Sequence, residues 1–299
     1  MTIRVIAVWW AACLLWSTTF LFIRIGLRDI PSLTLAWMRL AIALTVLLPI
    51  AIARGDVLTQ RWSDVSRVAA AGLLLLGVNY ALVFWGAQFI PSGLVAVLQS
   101  GAPLIALGFA CAIGQEQVNL RKLATLILGV VGVAVIFGSE ATASGWTAIA
   151  GAAAAFMGSV CVAAAYVWMK SHGHRLAPLA LTTIQSAAAV VPLACIALAL
   201  EGAPQLDRWS PSAWAAVLYL GLAASVLAFW LNYWLLARMT ASAMLMMGVA
   251  EVPIAIGLGA VFLDERLPGG TFVGATCVLI AVAGHLLAER AESNLHRVG

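Results

Sequence analysis

The sequence predicts an all-α polytopic membrane protein, with ten transmembrane helices arranged as two inverted five-helix repeats and both termini cytoplasmic. Three observations predict it: apolar stretches of span length follow one another along the chain, positive charge gathers in alternate loops, and the chain resembles itself at a shift of about 146–150 residues. Of 299 residues, 64% are hydrophobic and 9% charged, whereas a water-soluble domain carries roughly a quarter charged residues. A hydrocarbon core of ~30 Å takes about 20 mostly apolar residues per helix.

Cutting at charge and turn clusters gives apolar segments near 4–23, 33–53, 66–87, 92–113, 122–138, 146–169, 178–199, 213–236, 241–262 and 270–288. The first run could imitate a signal peptide, but it is as long as a full span and further spans follow, so it is read as the first helix. The breaks hold Arg28-Asp29-Ile30-Pro31, Arg54-Gly55-Asp56, Glu116, Ser139-Glu140, His172-Gly173-His174-Arg175, Asp207-Arg208 and Asp264-Glu265-Arg266, groups costly to leave against lipid. The breaks at 88–92 and 238–242 would be tight helical hairpins.

Short loops rich in Lys and Arg stay cytoplasmic. With the N-terminus inside, eleven of the sixteen positive residues fall on the inner side. Arg24, Arg28, Arg208 and Arg266 fall outside, and Arg39 lies within a span. A shift near 146 pairs Phe20 with Tyr166, Phe22 with Trp168, Arg24 with Lys170 and Arg39 with Gln185; near 150 it pairs Phe84 with Trp234, Ala87 with Ala237, Ser92 with Ser242 and Pro103 with Pro253. Glu116 and Glu265 then end matching spans. Residues 1–140 thus form one five-helix repeat, 145–290 a second and 291–299 a cytoplasmic tail. An odd number of spans per repeat inverts the second copy. Inverted repeats meeting at the midplane are the usual build of secondary transporters.

The catalytic signatures looked for are missing. No phosphate loop, His-Glu-x-x-His zinc motif or Gly-x-Ser-x-Gly elbow occurs, and no loop has room for a nucleotide-binding domain. The five cysteines, Cys13, Cys111, Cys161, Cys195 and Cys277, sit in apolar runs and read as small buried hydrophobes. His172, His174, His285 and His296 lie in a loop, near the end of the last span or in the tail, away from any metal or relay role. The net charge of +4 is spread over short loops, so no nucleic-acid surface is implied.

Glu251 is the one carboxylate placed deep in a span, two residues before Pro253. At about 2.5–3.5 kcal/mol on insertion scales, it should face a partner, a cavity or water. It is either a counter-ion or proton-coupling group, or a buried carboxyl bonded to backbone freed by Pro253. Arg39, about two turns into the second span, either snorkels, bonds a neighbouring helix, or grips a substrate carboxylate. Asn79, Tyr80, Gln99, Ser100, Asn232 and Tyr233 put polar groups near mid-membrane. Some should line a cavity and others bond neighbouring helices. Trp16, with Phe20 on the same face, lies near mid-depth, and Trp85, Tyr166, Trp168, Trp230 and Trp234 add aromatic surface. Trp9, Trp10, Trp62, Trp146, Trp209 and Trp214 read as interfacial anchors. Pro103 and Pro253, placed alike in spans four and nine, are expected to kink both helices where hinges or gates would stand. Met244, Met246 and Met247 supply pliable wall or core filler. Gly129, Gly132, Gly257, Gly259, Gly270 and Gly274 read as close helix packing, with a dimer face as the lesser option.

The ordered set Leu15-Trp16-Ser17-Thr18-Thr19-Phe20, Met38-Arg39-Leu40, Pro103 with Glu116, and Glu251-Val252-Pro253 with Glu265 resembles the drug/metabolite transporter superfamily. Within it, the chain resembles the ten-helix EamA-type bacterial exporters of amino acids and metabolites, along essentially its whole length. The resemblance implies five-plus-five inverted topology in the bacterial inner membrane and a central cavity lined from both halves. It also implies export driven by the substrate gradient or by proton exchange, with no cofactor and no enzyme activity. The expected cargo is a small molecule, with neutral or aromatic amino acids favoured. Gln185 stands where the repeat would place a second arginine, so any role of Arg39 need not be symmetric. A drug or organic-cation exporter is the alternative, with Glu251 and the aromatics supplying charge and π surface. An intramembrane lipid-modifying enzyme should gather acid, base or metal ligands at one depth, and a channel should carry rings of like groups; neither pattern is found.

Overall fold

Proline and glycine set the helix ends. The computed structural model describes residues 3–56, 60–114, 120–143, 145–172, 176–236, 238 and 241–298, without the side chains of 121–122, 140–143, 170–172, 233, 236, 241–246, 249 and 285–298. Among the described residues all regular structure is helical. Helices α1 (Ile3–Gly26) and α2 (Ser32–Ala53) lead to a rod made of α3 (Trp62–Gly72), a π-helical stretch Leu73–Val78 and α4 (Asn79–Gly86). Next come α5 (Ser92–Ser100), α6 (Ala102–Ala112), α7 (Leu120–Ala143), α8 (Gly145–His172) and α9 (Pro178–Leu200). A short 3-10 turn, Leu206–Arg208, precedes α10 (Pro211–Leu218), a second π-helical stretch Tyr219–Leu227, α11 (Ala228–Leu236), α12 (Ala241–Leu263) and α13 (Gly269–Val298).

Proline fits a helix start because its fixed φ suits the first turn and its missing N–H is not needed there. Pro178 and Pro211 open α9 and α10, while Pro31 and Pro91 occupy the N-caps of α2 and α5. Gly55 (φ 71°) and Gly202 (φ 80°) follow α2 and α9 in the left-handed conformation that stops a helix. Asp264 (φ 53°) does the same after α12 without being glycine.

Among the described residues seven of the rods are long and apolar enough to cross a bilayer, and three shorter apolar helices, Leu123–Ser139, Ala250–Leu263 and Gly269–Gly284, accompany them. Ile127, Val130, Val191, Trp230, Val261, Phe262, Phe272 and Ile280 are exposed, more large apolar side chains than a water-facing surface carries. The chain is a polytopic membrane protein.

Inside, close approach replaces the hydrophobic drive that lipid removes. Helix α7 lies along α13, α2 along α9, α4 along α8, and α12 against both α1 and α5. Alanines 36, 152, 155, 180, 189, 213, 216 and 228 are fully buried between the helices. A Cβ on Gly132 would sit 2.8 Å from the Gly274 carbonyl and one on Gly274 2.6 Å from the Gly132 carbonyl, so two glycines set the α7–α13 crossing. Gly257, by contrast, has open space where its Cβ would be. One apolar core, including Ile23, Phe84, Leu94, Leu98, Leu220 and Val278, joins helices from both ends of the chain.

The expected kinks at Pro103 and Pro253 come out unequal. The fourth rod breaks at Gly101, leaving Pro103 in the first turn of α6, where no N–H is missed; α12 runs through Pro253 as one helix. Pro49 and Pro192 also stand inside helices α2 and α9.

Candidate functional site

Asn79 opens α4 as the π-helical stretch ends, and its side chain is 6% exposed. Its Nδ2 donates to the Leu75 carbonyl (3.1 Å), while Oδ1 has no partner among the described residues. Gln99, at the end of α5, donates from Nε2 to the Ala155 carbonyl of α8 (2.8 Å). Both amides converge on Gly158, where a Cβ would stand 2.6 Å from Asn79 Oδ1 and 3.1 Å from Gln99 Nε2. The absent side chain therefore lets the two amides close on α8 in a filled polar contact between three helices. Ser159 Oγ, fully buried, closes its back by donating to the Leu98 carbonyl (2.6 Å). An unpaired buried carbonyl oxygen costs free energy unless something donates to it, so the Asn79 oxygen is left wanting a donor.

Tyr80 faces the other way, against Arg39, whose guanidinium lies 4.8 Å from the ring centre. Arg39 is 4% exposed and does not snorkel. Its Nε donates to Ser225 Oγ (3.0 Å) and its Nη2 to the Ala224 carbonyl (3.2 Å), both in the second π-helical stretch. π-Helical turns free carbonyls from the regular ladder and recur at functional sites. Thr18 and Tyr219 share a hydroxyl hydrogen bond, and Phe22 stacks on Tyr219 at 3.9 Å, tying α1 to the same stretch.

Trp16 packs half-buried in a second cluster with Trp9, Leu231, Trp234 and Ala250, next to buried Cys13. Glu251 is partly buried on α12, the residue after Ala250 of that cluster, and α12 packs along α1. Tyr166 and Trp168 are exposed on α8, and Asn232 is half-buried on α11. The side chain of Tyr233 and the whole of Glu116 lie outside the described residues. The structure thus brings Asn79 near Gln99 at Gly158 and Tyr80 against Arg39, and among the described side chains of the nine expected cavity residues no shared void is seen. An apolar recess of about 330 Å³ runs beside Val97, Gly101, Phe109, Val130 and Phe156 and touches none of them.

A second recess, of about 410 Å³, is polar and lies at one end of the bundle, beside Arg24, Arg28, Gln88 and Glu265. Here carboxylates tie connections together. Asp29 accepts from the Ser210 hydroxyl and from its N–H (3.1 Å), which holds its carboxyl below the usual carboxylate range. Glu201 accepts from Leu33 N (2.9 Å), Thr34 N (2.8 Å), Thr34 Oγ1 (2.8 Å) and Ser32 Oγ (3.3 Å) at the start of α2. Glu265 accepts from Ser92 N (2.8 Å) and Oγ (2.6 Å) and pairs with Arg24 Nε (3.3 Å). Arg24 Nη1 also donates to the Ala87 (2.7 Å) and Gln88 (2.9 Å) carbonyls.

Sequence reasoning missed Glu201, Gly158 and Ser225. The signal for the first was present: Ile-Pro-Ser occurs at 30–32 and again at 90–92, two helix starts whose prolines supply no capping oxygen. Among the described residues no three His, Cys, Asp or Glu side chains come close enough to hold a metal.

Against known proteins, the EamA-like transporter family matches residues 4–138 and 149–287. An uncharacterized transporter of Bacillus subtilis (strain 168), YoaV, is 24% identical over 271 residues, covering 90% of this chain and 92% of that protein. A probable amino-acid metabolite efflux pump of Salmonella typhimurium (strain LT2) is 24% identical over 280 residues, 88% of each. A crystal structure 21% identical to this chain, with a TM-score of 0.65, covers 98% of this chain and 100% of that one and has the same fold.

Proposed function

The chain belongs to the EamA-like transporter family, and on that premise we propose that it exports amino acids, neutral or aromatic ones first, or similar small metabolites across the bacterial inner membrane. It works as a secondary transporter by alternating access, with residues 1–140 and 145–290 as inverted five-helix halves and both termini cytoplasmic.

The observation that carries this reading is the exchange symmetry of contacts between the two family matches. Gly72, just before the first π-helical stretch, lets α3 close on Gln185 of α9, where a Cβ would lie 2.5 Å from the Gln185 Cα. Gly221, inside the second, lets that stretch close on α2, where a Cβ would lie 2.5 Å from Ile42 Cγ2 and 3.2 Å from the Arg39 carbonyl. Arg39 and Gln185 are the residues that the repeat pairs. Likewise α4 lies on α8, as α10 and α11 lie on α1. Two copies related this way can rock about a shared site.

In this reading the Asn79 and Gln99 amides at Gly158 supply hydrogen bonds to the cargo as that contact opens, and Trp16 supplies apolar surface. Glu251 faces its ammonium group or a coupling proton. The efflux-pump relative supports amino acids as the cargo class.

The test is purified protein in liposomes, offered neutral, aromatic and charged amino acids and organic cations, with and without a pH gradient. Counterflow of amino acids is expected. Counterflow of cations alone would replace the cargo class, and counterflow of nothing would overturn the reading.

A further inference from the structure

Helices α2 and α5 begin alike, as Ile30-Pro31-Ser32 and Ile90-Pro91-Ser92. In both, proline occupies the N-cap and no side chain of the same helix caps the first turn. The free N–H groups there need an acceptor from elsewhere, and each receives a glutamate from the other family match. Glu201, the residue after α9, caps α2. Glu265, after α12, caps α5 and is itself held by Arg24 of α1.

We propose that Glu201 and Glu265 are the two points of a latch that closes this end of the transport path, with Arg24 holding Glu265 in place, and that the latch releases when this end opens. The inference rests on the alternating-access reading. Three features favour a latch over fixed caps. Both acceptors cross from one half to the other, so separating the halves must break them. The Arg24 side chain is 30% exposed beside the polar recess, so the released carboxylate and N–H groups meet water rather than lipid. The seat is also built to receive the carboxylate. Asp264 turns the chain back in the left-handed conformation, and a Cβ on Gly259 would run into the Glu265 carboxylate and come within 2.7 Å of Ser92 Oγ.

Glu265→Gln keeps the shape and removes the charge. Amide hydrogen exchange of the full chain in lipid nanodiscs, read on peptides covering 88–98 and 263–268, should quicken about tenfold in Glu265→Gln and in Arg24→Gln. Exchange along the α7–α13 pair should stay unchanged and serves as the folding control. A rise no larger than that control overturns the latch. Ser92→Cys with Gly259→Cys forces the opposite state, because the contact at Gly259 puts the two Cβ atoms near disulfide range, about 3.5–4.5 Å. Once the linked peptides are seen by mass spectrometry, counterflow of any compound that the wild type carries should stop, and it should return on reduction. Counterflow that persists through the cross-link overturns the latch. If the wild type carries nothing in the panel, the transport reading fails, and the exchange comparison alone decides whether the latch exists.

Discussion

Gly158→Ala separates packing from cargo binding. The new Cβ would stand 2.6 Å from Asn79 Oδ1, 2.9 Å from Val83 Cγ2 and 3.1 Å from Gln99 Nε2, all ends of side chains that can yield. Alanine in a helix gains about 1 kcal/mol over glycine. Displacing three side-chain ends costs about 1–2 kcal/mol, and the Gln99 bond to Ala155 is worth about 1 kcal/mol. The net loss of stability is therefore about 1–2 kcal/mol. If each displaced amide also forfeits one cargo hydrogen bond of about 1 kcal/mol, half-saturation for counterflow should rise roughly ten- to thirtyfold. The control is Gly86→Ala, whose Cβ would stand 2.5 Å from the Gly151 carbonyl. Backbone cannot yield, so α4 and α8 must part, and the loss should reach about 3 kcal/mol with the affinity of the folded fraction kept. Thermal unfolding in detergent and counterflow in liposomes read the two quantities separately. Unchanged affinity in Gly158→Ala would make the amide contact a packing feature, and a larger stability loss there than in Gly86→Ala would refute the geometry.

Three other predictions follow from the same contacts. Arg39→Lys should lower the unfolding temperature more than Arg39→Met: a lysine keeps the buried charge but cannot reach both Ser225 and the Ala224 carbonyl, whereas methionine removes the need to solvate it. Glu251→Gln should abolish the effect of a pH gradient on counterflow while leaving the folded yield unchanged; coupling that survives would make Glu251 structural. Because its native carboxyl sits below the usual range, Asp29 contributes stability above that range and loses it as pH falls through its lowered pKa. Asp29→Asn should therefore lower stability at neutral pH and flatten the acid limb of the unfolding curve, so that variant and wild type converge in acid.

The rods were legible because lipid demands a continuous apolar run, and each break carries charge, proline or glycine. Both tight hairpins were expected, and the first is seen between Gly86 and Ser92. The π-helical stretches were not legible, since Leu73–Val78 and Tyr219–Leu227 look like any apolar helix; only the positions of Gly72 and Gly221 hint at a close crossing. Polar residues in spans were easy to find, but which face each takes depends on helix rotation, which composition does not encode. Thus Asn79 and Gln99 meet while Tyr80 turns to Arg39. The end clasp is half readable: the repeat pairs Arg24, Ser92 and Glu265 with Lys170, Ser242 and Glu116, whose side chains all lie outside the described residues.

The chemistry of the clasp suits a contact that must break often. A helix cap is worth about 0.5–2 kcal/mol, and a part-exposed ion pair such as Arg24–Glu265 adds no more than about 1 kcal/mol. Two caps and one pair therefore hold this end shut by about 1–5 kcal/mol, favouring closure by roughly five- to several-thousandfold. Cargo can shift such an equilibrium only by its differential affinity for the two states, and a few hydrogen bonds of about 1 kcal/mol each lie within that span. An apolar seam of 400 Å² at the same place would cost about 10 kcal/mol to open, beyond what a small molecule returns. Carboxylates at the water's edge therefore keep the closed state dominant and still within reach of the cargo that must open it.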